Sequence, residues 1–267
     1  MAVHIIIVGV LGRMGREIAR AALADREVRL VGCIEAPDNP CVGQPLGLHL
    51  GIDGCDAVIG ASIDAYPVET SVIIDFTTPS STCGLLDALG GRAARIVIGT
   101  TGMTAAQNER IRDSAKQSAV LLSPNMSLGV NLLFHLTKAA VERLGAGFDI
   151  EIIEAHHRTK KDSPSGTAKR LGEIAAAARG LSYDEAVRNG REGILGERPA
   201  DEIGMHAVRG GDIAGEHTVL LAGQGERLEL RHVAQGREAL ARGTIAAAKW
   251  LSVRPAGMYS MSDVLGL

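Results

Sequence analysis

Between Glu154 and Thr167 the chain reads EAHHRTKKDSPSGT, with two adjacent histidines, two adjacent lysines and a Ser-Gly-Thr triplet. An imidazole titrates near neutrality and can deliver a proton. An ammonium group is a compact fixed cation suited to a carboxylate. A Ser-Gly-Thr helix opening leaves backbone N–H groups turned outward, where the helix has no partners for them. Protons, positive charge and N–H donors at one corner suit a small dianionic substrate that must also be protonated.

His156 and His157 are consecutive at the end of a strand-like run, so their side chains point to opposite sides. Two metal ligands sit more naturally two apart on a strand or four apart on a helix, so zinc is disfavoured and no metal is expected. One histidine is better placed as a proton donor and the other as an orienting or binding group. Taken alone, each could be a hydrogen-bonded structural histidine, and loop lysines such as Lys160 and Lys161 are usually solvated. Here they precede Ser163-Pro164-Ser165-Gly166-Thr167, which has the grammar of a helix start. Ser163 is expected to cap, Pro164 to occupy the first turn, and Gly166 to leave N–H groups accessible. A helix N-terminus beside a lysine makes an anion clamp.

A second constellation lies at the other end. Gly9-Val10-Leu11-Gly12-Arg13-Met14-Gly15 follows an apolar run and opens a helical pattern, which is the setting of a pyrophosphate-binding turn. Its spacing is GxxGxxG, with Leu11 where the second glycine of the commoner motif stands. Glu35 ends the next apolar run, where a carboxylate would accept the adenine ribose hydroxyls and disfavour a 2′-phosphate. Arg13 could offset that repulsion, but Ala36 supplies no second cation. Gly99-Thr100-Thr101-Gly102, Ser123-Pro124-Asn125-Met126 and Thr77-Thr78 each follow an apolar run as well. In an open parallel sheet these turns share the ligand-binding edge.

Apolar runs at His4–Val8, Val28–Ile34, 71–76, 95–98 and 119–122 alternate with helical patterns at 13–24, 80–89 and 104–117. That alternation predicts a parallel sheet covered on both faces. Beyond Asn125 the pattern changes to a long helix at 129–144, a half-buried strand at 148–155 and a helix ending near Arg179 with Gly180 as its stop. Short strands follow at 205–208, 217–221 and 227–233, then a helix at 237–251. The chain of 267 residues is thus expected to hold two domains, 1–127 and 128–236.

A net charge of −3 argues against nucleic acid as a partner. No segment approaches the ~20 apolar residues of a membrane span. The cysteines at 33, 41, 55 and 83 have no metal-ligand spacing and read as reduced thiols of a cytoplasmic protein.

The segment EAHHRTKKDSPSGT resembles the signature of the dihydrodipicolinate reductases of lysine and diaminopimelate biosynthesis, and the likeness runs over essentially the whole chain. It includes GVLGRMGR at 9–16, IDFT at 74–77, GTTG at 99–102, NMSLGVN at 125–131, RGGDIAGEHT at 209–218 and WLS at 250–252. The resemblance implies a Rossmann-like doubly wound sheet, completed by segment 237–267, plus a smaller α+β domain with an open mixed sheet for substrate binding and oligomerisation. It implies a homotetramer using NADH or NADPH to reduce a small cyclic dicarboxylate. By position, His156 matches the general acid and Lys160 the catalytic lysine. His157, Gly166 and Thr167, with Ser165 beside them, match the carboxylate-binding set. Gly9 to Met14, Glu35, Gly99 to Thr101 and Ser123 to Met126 match the dinucleotide contacts. Ala36 and Thr78 stand where some relatives carry arginine, which points to use of both cofactors with NADH at least competitive. With cofactor and substrate on different domains, closure about 127–129 and 235–237 is expected. Two other classes fit parts of the pattern: an aspartate-type amino-acid dehydrogenase and a non-catalytic dinucleotide sensor. Neither has an evident use for His156 and Lys160 together with the Ser-Gly-Thr helix start.

Overall fold

The apolar runs of the first half are continuous rather than alternating, as strands buried on both faces must be. In the computed structural model, which describes residues 2–267, they form a parallel sheet whose strands are each followed by a helix or turn. In chain order these are β1 (Val3–Val8), α1 (Arg13–Ala24), β2 (Val28–Ile34), α2 (Leu46–Leu50), β3 (Ile59–Gly60), β4 (Ser71–Asp75), α3 (Pro79–Leu89), β5 (Arg95–Ile98), α4 (Ala105–Ser114) and β6 (Ala119–Leu122). The remaining elements are α5 (Leu128–Leu144), β7 (Asp149–His156), α6 (Gly166–Ala178), α7 (Tyr183–Ala186), β8 (Val187–Asn189), β9 (Ile203–Arg209), β10 (Gly215–Ala222), β11 (Arg227–Ala234), α8 (Glu238–Leu251), β12 (Gly257–Tyr259) and α9 (Met261–Leu265).

The first sheet has seven strands in the order β12-β6-β5-β4-β1-β2-β3. Its strand order reverses between β1 and β4, so a ligand crevice opens at the carboxyl ends of those two strands. Ile5, Ile7, Ile74 and Leu121 pack one face with Ile18 of α1 and Ile245 and Ala248 of α8. Ile6, Ile73, Ile96 and Val120 pack the other with Leu85 of α3 and Ile111 of α4.

The chain divides into two units, one running to Leu128 and resuming over Arg237–Leu267, the other Gly129–Gly236. The return through α8 is enforced by packing: a Cβ on Gly243 would sit 1.8 Å from the Met126 carbonyl oxygen.

The second unit has a mixed five-stranded sheet, β11-β10-β7-β9-β8, antiparallel at β10 and parallel from β7 to β8. Ile150, Ile152, Met205, Val219 and Leu221 face α5 and α6 through Leu133, Val141, Leu171 and Ala175. The opposite face carries the exposed side chains of Ile153, Val208 and Val233. α6 ends in a Schellman arrangement: Leu181 N–H donates to Ala176 O, Gly180 N–H to Ala177 O, and Gly180 has φ +68.

Two element expectations change. The helix expected at 104–117 spans only Ala105–Ser114, because Thr104 is its N-cap, paired reciprocally with Gln107, and residues 115–118 turn back toward β6. The start of α6 is capped by Ser165, not Ser163, and Pro164 lies before the helix. The Ser165 hydroxyl accepts the Ala168 N–H at 3.2 Å, the reach of an N-cap three residues ahead.

Candidate active site

In the first unit the glycine turn is shaped by close approach. Gly9 has φ +73, and a Cβ on Gly15 would lie 2.1 Å from the Gly9 carbonyl oxygen. Only glycine lets α1 lie that near the turn. The N–H groups of Gly9 and Val10 donate to Ile34 O, and that of Gly12 donates to Gly9 O. The N–H of Leu11 donates to Glu35 Oε1 at 2.6 Å. Val10 and Leu11 therefore shape the turn while their amides are already engaged. The first-turn amides of Arg13, Met14 and Gly15 precede the first helical bond, from Arg16 N–H to Gly12 O. No side chain caps α1, and its first turn holds no acidic residue. These groups fit a dinucleotide pyrophosphate at the helix N-terminus.

Glu35 is engaged at both oxygens, with Asn39 Nδ2 donating to Oε2 at 3.4 Å. At the end of β4, on the other side of β1, Asp75 is fully buried. It accepts the Thr77 N–H at 3.1 Å, the Thr77 hydroxyl at 2.6 Å and the Thr82 hydroxyl. Burial raises its pKa, against the lowering effect of these hydroxyl and amide donors. The Thr100 hydroxyl belongs to the same knot: it accepts the Thr77 N–H at 3.1 Å and lies 3.1 Å from the Thr82 hydroxyl, whose own proton goes to Asp75. Thr100 thus faces inward, whereas Thr101 is exposed. The Ser123 hydroxyl donates to Asn125 O at 2.8 Å, and the Met126 side chain is buried in the core, so these residues can meet a ligand mainly through the main chain.

In the second unit β7 ends at His156, and a strand puts residues two apart on one face. Glu154 and His156 therefore share the helix-covered face of the sheet. Register then brings Arg209 beside His156 and His217 beside Glu154. Glu154 is fully buried and accepts four hydrogen bonds. Two come from Arg209, each at 2.8 Å, one from Ser165 N–H at 3.0 Å, and one from His156 Nδ1. Burial alone would raise its pKa. The donors from Arg209, His156 and Ser165 outweigh that, and the carboxyl is held below its usual range.

His217 packs edge-on against His156, with ring centroids 5.2 Å apart, and its Nε2 meets the Ser165 hydroxyl at 3.1 Å. Burial, and then the positive charge His156 can carry, bring its pKa down to about 4, so His217 is neutral at physiological pH. Ser165 is itself buried, its hydroxyl bound to Ala168 N–H and His217. Gly166 follows it as an exposed residue with open space where a Cβ would stand.

Lys160 Nζ is held by both oxygens of Asp162, at 2.8 and 2.9 Å. Arg209 reaches the Asp162 carbonyl at 2.7 Å, which ties this loop to the Glu154 cluster. His157 turns instead to Thr159, whose hydroxyl lies 2.7 Å from its Nδ1. The structure thus joins His156, Ser165 and the Lys160 loop through Glu154 and Arg209, and leaves the His157 ring outside that network. Glu154, Arg209, His217 and Gly215 had no assigned role in the sequence reading. Period-two spacing could have paired Glu154 with His156; the others become neighbours only through strand register. Among the described residues no group of three or more His, Cys, Asp or Glu is placed to hold a metal ion.

This corner can donate a proton beside an open helix N-terminus and a lysine, in a chain whose other unit presents a dinucleotide turn. Comparison with known proteins agrees. Residues 3–126 match the family model for the N-terminus of dihydrodipicolinate reductase, and residues 129–265 match that for its C-terminus. The chain is 45% identical to the 4-hydroxy-tetrahydrodipicolinate reductase of Syntrophotalea carbinolica over 99% of both chains. It is 44% identical to the enzyme of that name from Nitrosomonas eutropha, over 99% of this chain and 98% of the other. Among solved structures, the dipicolinate-bound dihydrodipicolinate reductase of Paenisporosarcina sp. TG-14 shares the fold with a TM-score of 0.76, at 23% identity over 97% of this chain and 98% of the other. With both halves matched and identity near 45% end to end, the chain belongs to the dihydrodipicolinate reductase family.

Proposed function

We propose that the chain reduces 4-hydroxy-tetrahydrodipicolinate to tetrahydrodipicolinate, consuming NAD(P)H and a proton and releasing NAD(P)⁺ and water. The observation that carries this reading is His156, held through Nδ1 by a buried carboxylate at the open N-terminus of α6, in a chain of this family. A bound nicotinamide supplies the hydride. The residues of the chain then have three tasks. Lys160, His157 and the amides of Gly166 and Thr167 hold the substrate carboxylates, with Lys160 exchanging part of its contact with Asp162 for the ligand. His156 delivers a proton from Nε2 as negative charge develops on the carbon–nitrogen system of the ring. The first turn of α1, with Arg13, holds the dinucleotide phosphates.

Cofactor choice follows from Glu35 and Ala36. The Glu35 carboxylate repels a 2′-phosphate, and Ala36 offers no counter-charge, so NADH is at least as good a substrate as NADPH. The exposed apolar side chains of Ile153, Val208 and Val233 on the open sheet face support a homotetramer built through that face. The four free cysteines fit the reducing cytoplasm.

The test is oxidation of NADH, and separately NADPH, by the purified chain given the condensation product of aspartate semialdehyde and pyruvate. Turnover with that substrate is expected, and no reduction of NAD⁺ or NADP⁺ when aspartate or other amines are supplied instead. His156→Ala and Lys160→Ala should each lower kcat by about 10²–10⁴-fold while NADH affinity is kept. Equal loss of cofactor binding and activity would contradict the assigned roles.

A further inference from the structure

Glu154 lies two residues before the proposed acid, and Arg209 lies beside that acid on the neighbouring strand β9. Glu154 is fully buried. Its two oxygens accept from His156 Nδ1, from both Arg209 terminal nitrogens and from Ser165 N–H. A carboxylate with that many donors is ionised, and an ionised carboxylate only accepts hydrogen bonds. The His156 Nδ1 must then carry a proton, which leaves Nε2 as the atom that exchanges one. Nε2 points toward Gly215, where an added Cβ would stand 3.1 Å away.

We infer that Glu154 and Arg209 form a positioning pair, Glu154 fixing the tautomer and charge of His156 and Arg209 keeping Glu154 a carboxylate. This inference rests on His156 being the proton donor of the proposed reduction. Without Arg209, a buried carboxylate beside an imidazolium would compete for the imidazolium's proton. With Arg209 bidentate, the negative charge is shared and the proton stays on Nδ1. The same carboxylate accepts Ser165 N–H next to the start of α6, so one group sets both the acid and the helix end that faces the substrate. The charged and titratable groups around His156 are Glu154 on its own strand, Arg209 on β9, His217 on β10 with His232 opposite it on β11, and Lys160 with Asp162 in the following loop. Among these, Glu154 is the acidic group bonded directly to the His156 ring.

The experiment is a double-mutant cycle on the full-length enzyme. Glu154→Gln keeps the shape and removes the charge. It should lower kcat by about 10²-fold in the parent, with substrate KM changed less than about threefold, yet by less than about twofold in a His156→Ala background. The alkaline limb of the kcat profile should move to lower pH by about one unit, because the imidazolium loses its counter-charge. Arg209→Lys, which keeps a cation but not the fork, should lower kcat by about tenfold in the parent and leave the His156→Ala enzyme unchanged. Equal losses in both backgrounds with an unmoved pH limb would overturn the inference. Should both variants fail to fold, nitrogen NMR of the parent decides: the Nδ1–H tautomer of neutral His156 is expected, and the Nε2–H tautomer would overturn it. If the parent does not reduce the substrate at all, the proposed function fails; if it does and the cycle is additive, only this inference fails.

Discussion

At the residue scale the proposed acid depends on neighbours that crowd it closely. Gly215 has φ +155 and leaves Nε2 of His156 uncovered, since a Cβ there would lie 3.1 Å from that nitrogen. Gly215→Ala should therefore lower kcat by about tenfold or more through misplacement of the acid, while NADH binding, measured by fluorescence titration, stays unchanged. His217 supplies a pH prediction. Its pKa is lowered from 6.5 to about 4 in the folded chain, mainly by burial. The unfolded chain thus binds the extra proton first. The stability His217 contributes is complete above pH 6.5 and is lost as the pH falls toward about 4. Urea unfolding across that window should show the slope, and His217→Gln, which can keep a hydrogen bond to Ser165, should flatten it. His156, Lys160 and Gly166 could be picked out from residue type and spacing. Arg209 could not, because it bonds Glu154 across a separation of 55 residues.

At the element scale, long apolar or periodic segments were readable because burial imposes their pattern. α1 and β2 run as expected, over Arg13–Ala24 and Val28–Ile34. β8 and β12 were not readable: each is three residues long and exists because a neighbouring strand has an edge to offer. The cap of α6 was misplaced by two residues, since Ser163 and Ser165 are chemically identical candidates. Burial against His217 decides between them. The clearest test of element packing is Gly243 of α8. A Cβ there would stand 1.8 Å from Met126 O. Gly243→Ala should cost about 1–3 kcal/mol of stability by denaturant unfolding. It should also weaken NADH binding, since the displaced carbonyl belongs to the Ser123–Met126 turn that the family resemblance assigns to the dinucleotide.

For the whole molecule, electrostatics gather on the open face of the second sheet. Glu151 accepts Arg191 at 2.6 and 3.0 Å, Arg198 at 2.9 Å and His206 at 2.7 Å. Burial would raise its pKa, but the donors from Arg191, His206 and Arg198 prevail and bring it from 4.5 to about 2. A depressed carboxylate stabilises the fold fully above its unfolded value and loses that contribution as the pH falls through the folded one. Acid unfolding should therefore steepen between pH 4.5 and about 2, and Glu151→Gln should remove that part of the slope. If the tetramer forms through this face, the same variant should also weaken association, read by sedimentation at matched concentrations.

The sequence by itself determined the classes of group present, the parallel sheet, and the cluster of histidines, lysines and a Ser-Gly-Thr helix start at 154–167 on which the proposed proton donor and anion clamp rest. It could do so because burial imposes period and turns demand glycine, both of which are local rules. Tertiary structure alone decided that Leu11 N–H is occupied by Glu35, that Thr100 and Ser165 face inward, and that His156 is held by Glu154 and Arg209. Those outcomes depend on which strands lie side by side and in what register, and register is set by the packing of the whole sheet against its helices.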